Sequence, residues 1–424
     1  MTDTRDLKKA IKLRHAVALY VSSVLGSGIL VLPGLAARIA GPASLVAWGV
    51  LALASYPFAF TFASLSSRHP ESGGIYGFAK ESFGIPIAIV SGWLFAFWYI
   101  TGAPAVTLIA ASYLAYTFPM NRFAIFLIAG LITCLAFVIN YRGIVFSNRI
   151  QLAVIVTIIG LLVAVVLLSI GFMKAEHFVP FAPNGLVPIG TAAALIFWSY
   201  LGYENVSNVA EEFENPKRDF QRSILWSVIL ISGLYIAVAV VTIGTLAYQA
   251  GGSVAPFAAI FSNVLGNYGG VGTAILALVI IFATVNAYTA GMSRVVLAVA
   301  KDRGFPAWLD YVDKKTGTPT KSLMMLSGLS LAMLTFYYFF DVDLQTALLI
   351  PSGSAILVYI IGSAAGVRLL SDRGWRRTLP WISLILSIVL LPFVGTPALG
   401  SILAGVAAYL YVRSRRPVSK DSSS

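Results

Sequence analysis

Twelve apolar runs, most of them near twenty residues long and apolar on every side, leave this chain little choice of environment. A run of that length crosses the hydrocarbon core of a bilayer as a helix, whereas a helix of a water-soluble domain buries one stripe and shows polar residues opposite. The runs fall at about 13–40, 43–67, 86–118, 122–140, 148–172, 187–210, 222–249, 268–300, 321–340, 345–368, 377–394 and 397–412. In lipid each backbone N–H and C=O must be satisfied within the protein, so the runs predict helices. The expected fold class is an all-α polytopic membrane protein with twelve transmembrane helices. Composition agrees: of 424 residues, 58% are hydrophobic and 11% charged, against roughly a quarter charged in a soluble domain.

A net charge of +12 raises the question of nucleic acid, but its distribution answers otherwise. With the N-terminus in the cytoplasm, only Arg38, Arg122 and Lys174 of the 29 Lys and Arg fall outside. That asymmetry is an orientation signal. It predicts a multi-pass protein of the inner (cytoplasmic) cell membrane with both termini cytoplasmic, a lipid bilayer as its surroundings, and no nucleic acid partner. Lys8, Lys9, Lys12 and Arg14 ahead of the first run, with Leu35-Ala36-Ala37 behind, imitate a secretory signal. The run is too long for one, and eleven more follow, so it reads as an uncleaved helix. Cys134 stands alone in the fourth run and is expected to pack there, and a disulfide within the chain is excluded. His15, His69 and His177 lack metal-ligand spacing, so no metal site is expected.

Two of the runs are interrupted. Leu25-Gly26-Ser27-Gly28-Ile29 breaks the first, with Pro33 one turn later, and Phe197-Trp198-Ser199-Tyr200-Leu201-Gly202-Tyr203-Glu204 breaks the sixth, about 175 residues on. Corresponding breaks in two halves are the mark of an inverted-repeat transporter. Gly73-Gly74-Ile75-Tyr76-Gly77-Phe78 and Gly251-Gly252, each followed by a short amphipathic stretch, echo one another in the same way. The division is a tail at 1–12, a first repeat at 13–174, a second at 187–370, two appended helices at 376–412 and a tail at 413–424. Close helix packing is the rival explanation for Gly-Ser-Gly alone; the matched break in the sixth run favours a ligand site.

A broken helix frees backbone groups that lipid cannot satisfy, so something polar must fill the gap. The half-helix opening near Gly28 offers N–H groups and a positive dipole end to a carboxylate. Carbonyls around Ser199–Gly202 suit an ammonium group. Gly26, Gly28 and Gly202 can adopt positive φ and admit close backbone approach. One zwitterion, an amino acid, satisfies both ends.

These residues carry a resemblance. Gly26-Ser27-Gly28-Ile29, the stretch Glu211-Glu212-Phe213-Glu214-Asn215-Pro216-Lys217-Arg218-Asp219 with Arg222-Ser223-Ile224, and Ser293-Arg294 with Ala300-Lys301-Asp302-Arg303-Gly304-Phe305-Pro306 are similar, in order and spacing, to motifs of the amino acid–polyamine–organocation superfamily. In style the chain looks like the bacterial exporters of methionine and branched-chain amino acids. The resemblance implies a LeuT-like arrangement of five-plus-five helices, transport by alternating access, and a substrate carboxylate held by the backbone of Gly26–Gly28. It also implies that Trp198, Leu201 and their neighbours line and gate the pocket, and that Trp98 and Tyr99 of the third run border it. Large aromatics there favour a neutral over a cationic cargo. Packing, or an interfacial belt, is the plainer role for each of these aromatics.

Glu204 is the one acidic residue deep in a run, where insertion costs roughly 2.5–3.5 kcal/mol, so a partner is required. It reads either as a protonatable coupling or gating group, with Tyr203 beside it, or as a structural carboxylate paired with Asn205 or Asn286. The Glu211–Arg222 charges read mainly as a solvated cytoplasmic loop. Relatives that replace sodium with a Lys in the fifth helix are not matched, because no Lys lies between Arg149 and Lys174. Ser293, Thr284 and Thr289 are the sodium-ligand candidates. No cofactor is expected; exchange, proton coupling and sodium coupling all stay open, as does the direction of transport. Rival classes are a non-transporting amino acid sensor, a carrier of cationic amino acids or polyamines, a channel and an intramembrane enzyme. The runs lack the rings of charge a channel uses and any nucleophile–base, carboxylate-pair or metal cluster for an enzyme. The last two spans offer a face on which a second copy could pack as a homodimer.

Overall fold

A computed structural model of the chain describes residues 24–69, 74–143, 148–203, 216–249, 251–371 and 374–414, together with Leu13, Val17, Tyr20 and Val21. All regular structure among these residues is helical. The α-helices are α1 Leu32–Ala40, α2 Ser44–Arg68, α3 Ile75–Phe83, α4 Ile85–Thr117, α5 Arg122–Tyr141, α6 Asn148–Ser169 and α7 Val187–Ile196. They continue as α8 Pro216–Gly244, α9 Pro256–Leu265, α10 Asn267–Lys301, α11 Thr320–Phe339, α12 Leu344–Leu369, α13 Thr378–Leu390 and α14 Ala398–Ser414. Short 3-10 turns join several of them. Nine segments among the described residues are long and apolar enough to cross a membrane, and three shorter apolar helices, Val187–Tyr200, Pro256–Leu265 and Ala398–Ser414, accompany them. The chain is an all-helical, multi-pass membrane protein.

Most helices fall where the apolar runs predict them, because in lipid a helix is the only open-ended structure that satisfies its own backbone. Their ends carry local signals. The Asn121 side chain accepts from the Ala124 N–H at 2.8 Å, and the Asp343 side chain from the Thr346 N–H at 3.0 Å, capping α5 and α12. Between α1 and α2 the chain turns at Gly41, whose φ of 61° is a conformation that side chains resist. The sixth run is helical over Val187–Tyr200, non-helical at Leu201 and Gly202, and helical again at Tyr203, beyond which residues 204–215 lie outside the described ones. One boundary differs from expectation: the seventh run is already helical at Pro216 rather than only from near 222, since its charged turn escapes a hydropathy reading.

Two groups of helices face one another. In one, α1, α2, α7 and α8 pack together. In the other, α4 runs through the centre with α10, α12, α14, α11 and α5 around it. Small residues of α4, among them Ala105, Ala110 and Ala111, are wholly buried and let neighbouring helices approach. α5 shows Leu127, Leu131 and Leu135 on its outer side. Cys134 lies there too and is exposed rather than packed inside, because its position on α5 turns it away from the interior.

Candidate functional site

The first break opens at Leu25 and Gly26, which are non-helical; Gly26 is extended (φ −111°, ψ −168°). Ser27–Leu30 make one 3-10 turn, Val31 leaves it at φ −122°, and α1 resumes with Pro33 in its first turn, where a missing N–H is harmless. The second break follows α7: a 3-10 turn at Phe197–Tyr200, extended Leu201 (ψ 150°), and Gly202 at φ 122°. Of the three glycines free to take positive φ or to admit close approach, only Gly202 takes positive φ. Gly26 merely straightens the chain, and Gly28 is needed for space. A Cβ on Gly28 would sit 2.8 Å from Trp198 Cδ1 and 3.1 Å from Ser199 Oγ, so the two breaks meet at this residue.

Where they meet is a cavity of about 50 Å³. One water needs roughly 10–15 Å³ counted the same way, so the space suits a handful of non-hydrogen atoms. Gly26, Ser27 and Gly28 line it from the first break, Trp198, Ser199 and Leu201 from the second, and Trp98 and Tyr99 from α4. Two expected members lie elsewhere: Ile29 is fully buried behind the break, and Gly202 supplies its turn. Tyr203 packs against Tyr20 with ring centres 6.3 Å apart, also off the cavity wall. Glu204 and Asn205 lie outside the described residues. Asn286, the other proposed partner of Glu204, accepts at its side-chain oxygen from Asn140 Nδ2 at 2.8 Å.

Several lining residues escaped the sequence reading: Gly102, Ala103 and Val106 of α4, and Val285, Tyr288 and Met292 of α10. A signal was present. Residues 98, 99, 102, 103 and 106 share one helical face, and so do 284, 285, 288 and 292. Gly102 has a specific part, since a Cβ there would sit 2.8 Å from Trp198 Cη2. The Trp198 indole is therefore seated between Gly28 and Gly102, with Trp98 edge-on at 5.8 Å.

The described lining residues include no charged side chain. Their polar groups are hydroxyls, backbone and the indole N–H of Trp98 and Trp198. Ser199 Oγ is buried and has no hydrogen-bond partner among the described residues. Tyr99 donates to Thr289 Oγ1 at 2.5 Å, because the one Thr289 proton goes to the Val285 carbonyl at 2.7 Å. Thr284 and Ser293 likewise spend their protons on Ile280 and Ala290 carbonyls. All three retain lone pairs that a cation could use. Residues 11–421 match the family described as Amino acid permease. The chain belongs to that family. This permease is 32% identical to the uncharacterized amino acid permease YecA of Bacillus subtilis, over 97% of each chain. It is 29% identical to the L-methionine/branched-chain amino acid exporter YjeH of Escherichia coli, again over 97% of each. With the branched-chain amino acid permease BcaP of Bacillus subtilis the identity is 26%, over 74% of this chain and 72% of that one. The superfamily resemblance of the motifs therefore holds, and the relatives are transporters, not enzymes.

The motif at the end of α10 ties the permease together away from the cavity. Tyr76 Oη and Lys80 Nζ of α3 both donate to Asp302 Oδ2 at 2.7 Å. Trp93 of α4 donates to the Gly304 carbonyl at 2.8 Å and stacks on Phe305, ring centres 5.3 Å apart. Burial pushes the Asp302 carboxyl up, but the hydrogen bonds from Lys80 and Tyr76 outweigh it and hold the group below its usual range. Of the central motif, Glu211–Asn215 lies outside the described residues, and Arg222 and Ser223 belong to α8.

Proposed function

We propose that this permease carries neutral amino acids with apolar side chains across the cell membrane by alternating access, through twelve spans arranged as two inverted five-helix repeats, with both termini in the cytoplasm. The observation that carries the reading is the cavity itself: bounded by both chain breaks, small, and free of charged side chains among its described residues. The N–H groups opening the Ser27–Leu30 turn receive the substrate carboxylate, since the first N–H groups of a helical turn have no partner within it. Carbonyls of the second break receive the ammonium group. Ser199 Oγ, buried and unpartnered among the described residues, is a polar atom that a ligand would satisfy. Trp98, Trp198, Val106 and Met292 surround the side chain of the cargo and exclude water. A cationic amino acid or polyamine would need a carboxylate, and none is present on the described wall.

Glu204 is proposed as the coupling or gating group. Replacing it with Gln is expected to shift or abolish the pH dependence of transport; identical pH profiles for the two proteins would reduce it to a structural role. The name of YjeH specifies export of methionine and branched-chain amino acids, and the two chains align over 97% of each, which favours the same cargo and direction here. The experiment is counterflow in proteoliposomes loaded with unlabelled amino acid mixtures, with trace labelled leucine, methionine, alanine and arginine outside. Uptake of leucine and methionine without arginine is expected. Uptake of arginine alone would reverse the cargo assignment, and binding without any counterflow would leave a sensor.

A further inference from the structure

Tyr235 of α8 is fully buried, yet it belongs to no motif and does not line the cavity. Its hydroxyl donates toward two carbonyl oxygens at the same distance: Val24 at 3.2 Å and Ser199 at 3.2 Å. Val24 is the last helical residue before the first break, and Ser199 lies in the turn that opens the second. Both residues line the cavity. The ring is held on two sides, by Trp48 of α2 with centres 5.6 Å apart and by Tyr200 at 5.4 Å, each edge-on. Between those neighbours the ring is fixed, while the proton can turn about the C–O bond.

A phenol has one proton to give. With two equidistant acceptors, it satisfies one fully or shares itself between them, and either choice leaves the buried donor paired. We propose that Tyr235 is a positioning residue for the substrate cavity: a latch that joins the backbones of the two breaks and keeps its proton on one when the other moves away. This rests on the transport reading above, because alternating access requires the two breaks to shift relative to each other. A donor with a single acceptor would be orphaned by that movement, at a cost that opposes it. The double arrangement removes that opposition. Tyr113 supplies the contrast, since its hydroxyl donates to the Leu30 carbonyl at 2.5 Å and secures the first break alone.

Tyr235→Phe keeps the ring and its packing while deleting the proton. The test uses the full-length protein reconstituted in lipid, with backbone amide exchange followed by mass spectrometry and labelled leucine counterflow run in parallel. Tyr235→Phe is expected to speed amide exchange about threefold or more in residues 24–30 and 197–203 together, and to raise the KM for leucine roughly twofold to tenfold, as loss of one ordinary hydrogen bond does. Tyr113→Phe is expected to speed the first segment only. Unchanged amide exchange in Tyr235→Phe, or faster exchange in one segment alone, overturns the latch. Absence of leucine counterflow in the unsubstituted protein would overturn the transport reading separately, while amide exchange would still decide whether Tyr235 joins the two breaks.

Discussion

Ser199 Oγ has no partner among the described residues, so removing it relieves a buried polar atom while depriving the cargo of a contact. Ser199→Ala is therefore expected to raise the KM for the preferred amino acid about twofold to tenfold without lowering the melting temperature; a fall in stability with unchanged KM would give the hydroxyl a structural role. Gly102 seats the far edge of the Trp198 indole. Gly102→Ala should displace that ring and raise KM by about tenfold, equivalent to roughly 1.4 kcal/mol, as read from counterflow over a range of leucine concentrations. Gly26→Leu and Gly202→Leu are expected to abolish transport while inserting normally, the first because its side chain enters the cavity and the second because φ of 122° strains any side chain. Normal counterflow by either variant would remove the broken-helix site. Glycines at 26, 28 and 202 were all legible as special from the sequence, but not for which reason: one extended, one crowded by an indole, one in positive φ. Those distinctions depend on what lies opposite in space.

Among elements, the joint between α3, α4 and α10 is the clearest prediction. Asp302 takes two hydrogen bonds there, from Lys80 and Tyr76. Its carboxyl is held below the usual range, so its stabilising effect is present above the unfolded value, roughly pH 4, and is lost as pH falls through the lower folded value. Asp302→Asn should lower the melting temperature at neutral pH, by a stability difference of about 1 kcal/mol. The gap between the two proteins should narrow as the pH is taken below about 4; a gap constant across that range would mean the ion pair is not its source. Helix bounds were largely readable in advance, since unbroken apolarity in lipid admits one backbone solution. Beyond Trp98, Tyr99 and Thr284, the lining stripes of α4 and α10 are not legible in the sequence, although each follows a four-residue spacing. In helices apolar on all sides, a stripe facing a cavity looks the same as one facing lipid, and only a neighbouring break tells them apart.

At the scale of the molecule, membrane character came from run length alone, and the position of the cavity came from pairing two interruptions about 175 residues apart. Side-facing detail did not: the sequence places Cys134 in the fourth span as a packing residue without saying which side it faces, and it lies on the outer surface of α5. In a bilayer that surface meets acyl chains, so Cys134 should resist maleimides, charged or lipid-soluble, until the membrane is dissolved, because the thiolate that adds to a maleimide forms only in contact with water. Equal labelling by both in the intact membrane would put that face of α5 in water. Because the described cavity wall carries no ionised side chain and the proposed cargo is a zwitterion, the loaded and empty carriers have the same electrical charge. The membrane voltage then has nothing to pull on in the exchange of one amino acid for another. Any current recorded during turnover would be carried by a co-transported ion, and the charge moved per amino acid transported would give the product of that ion's valence and its stoichiometry.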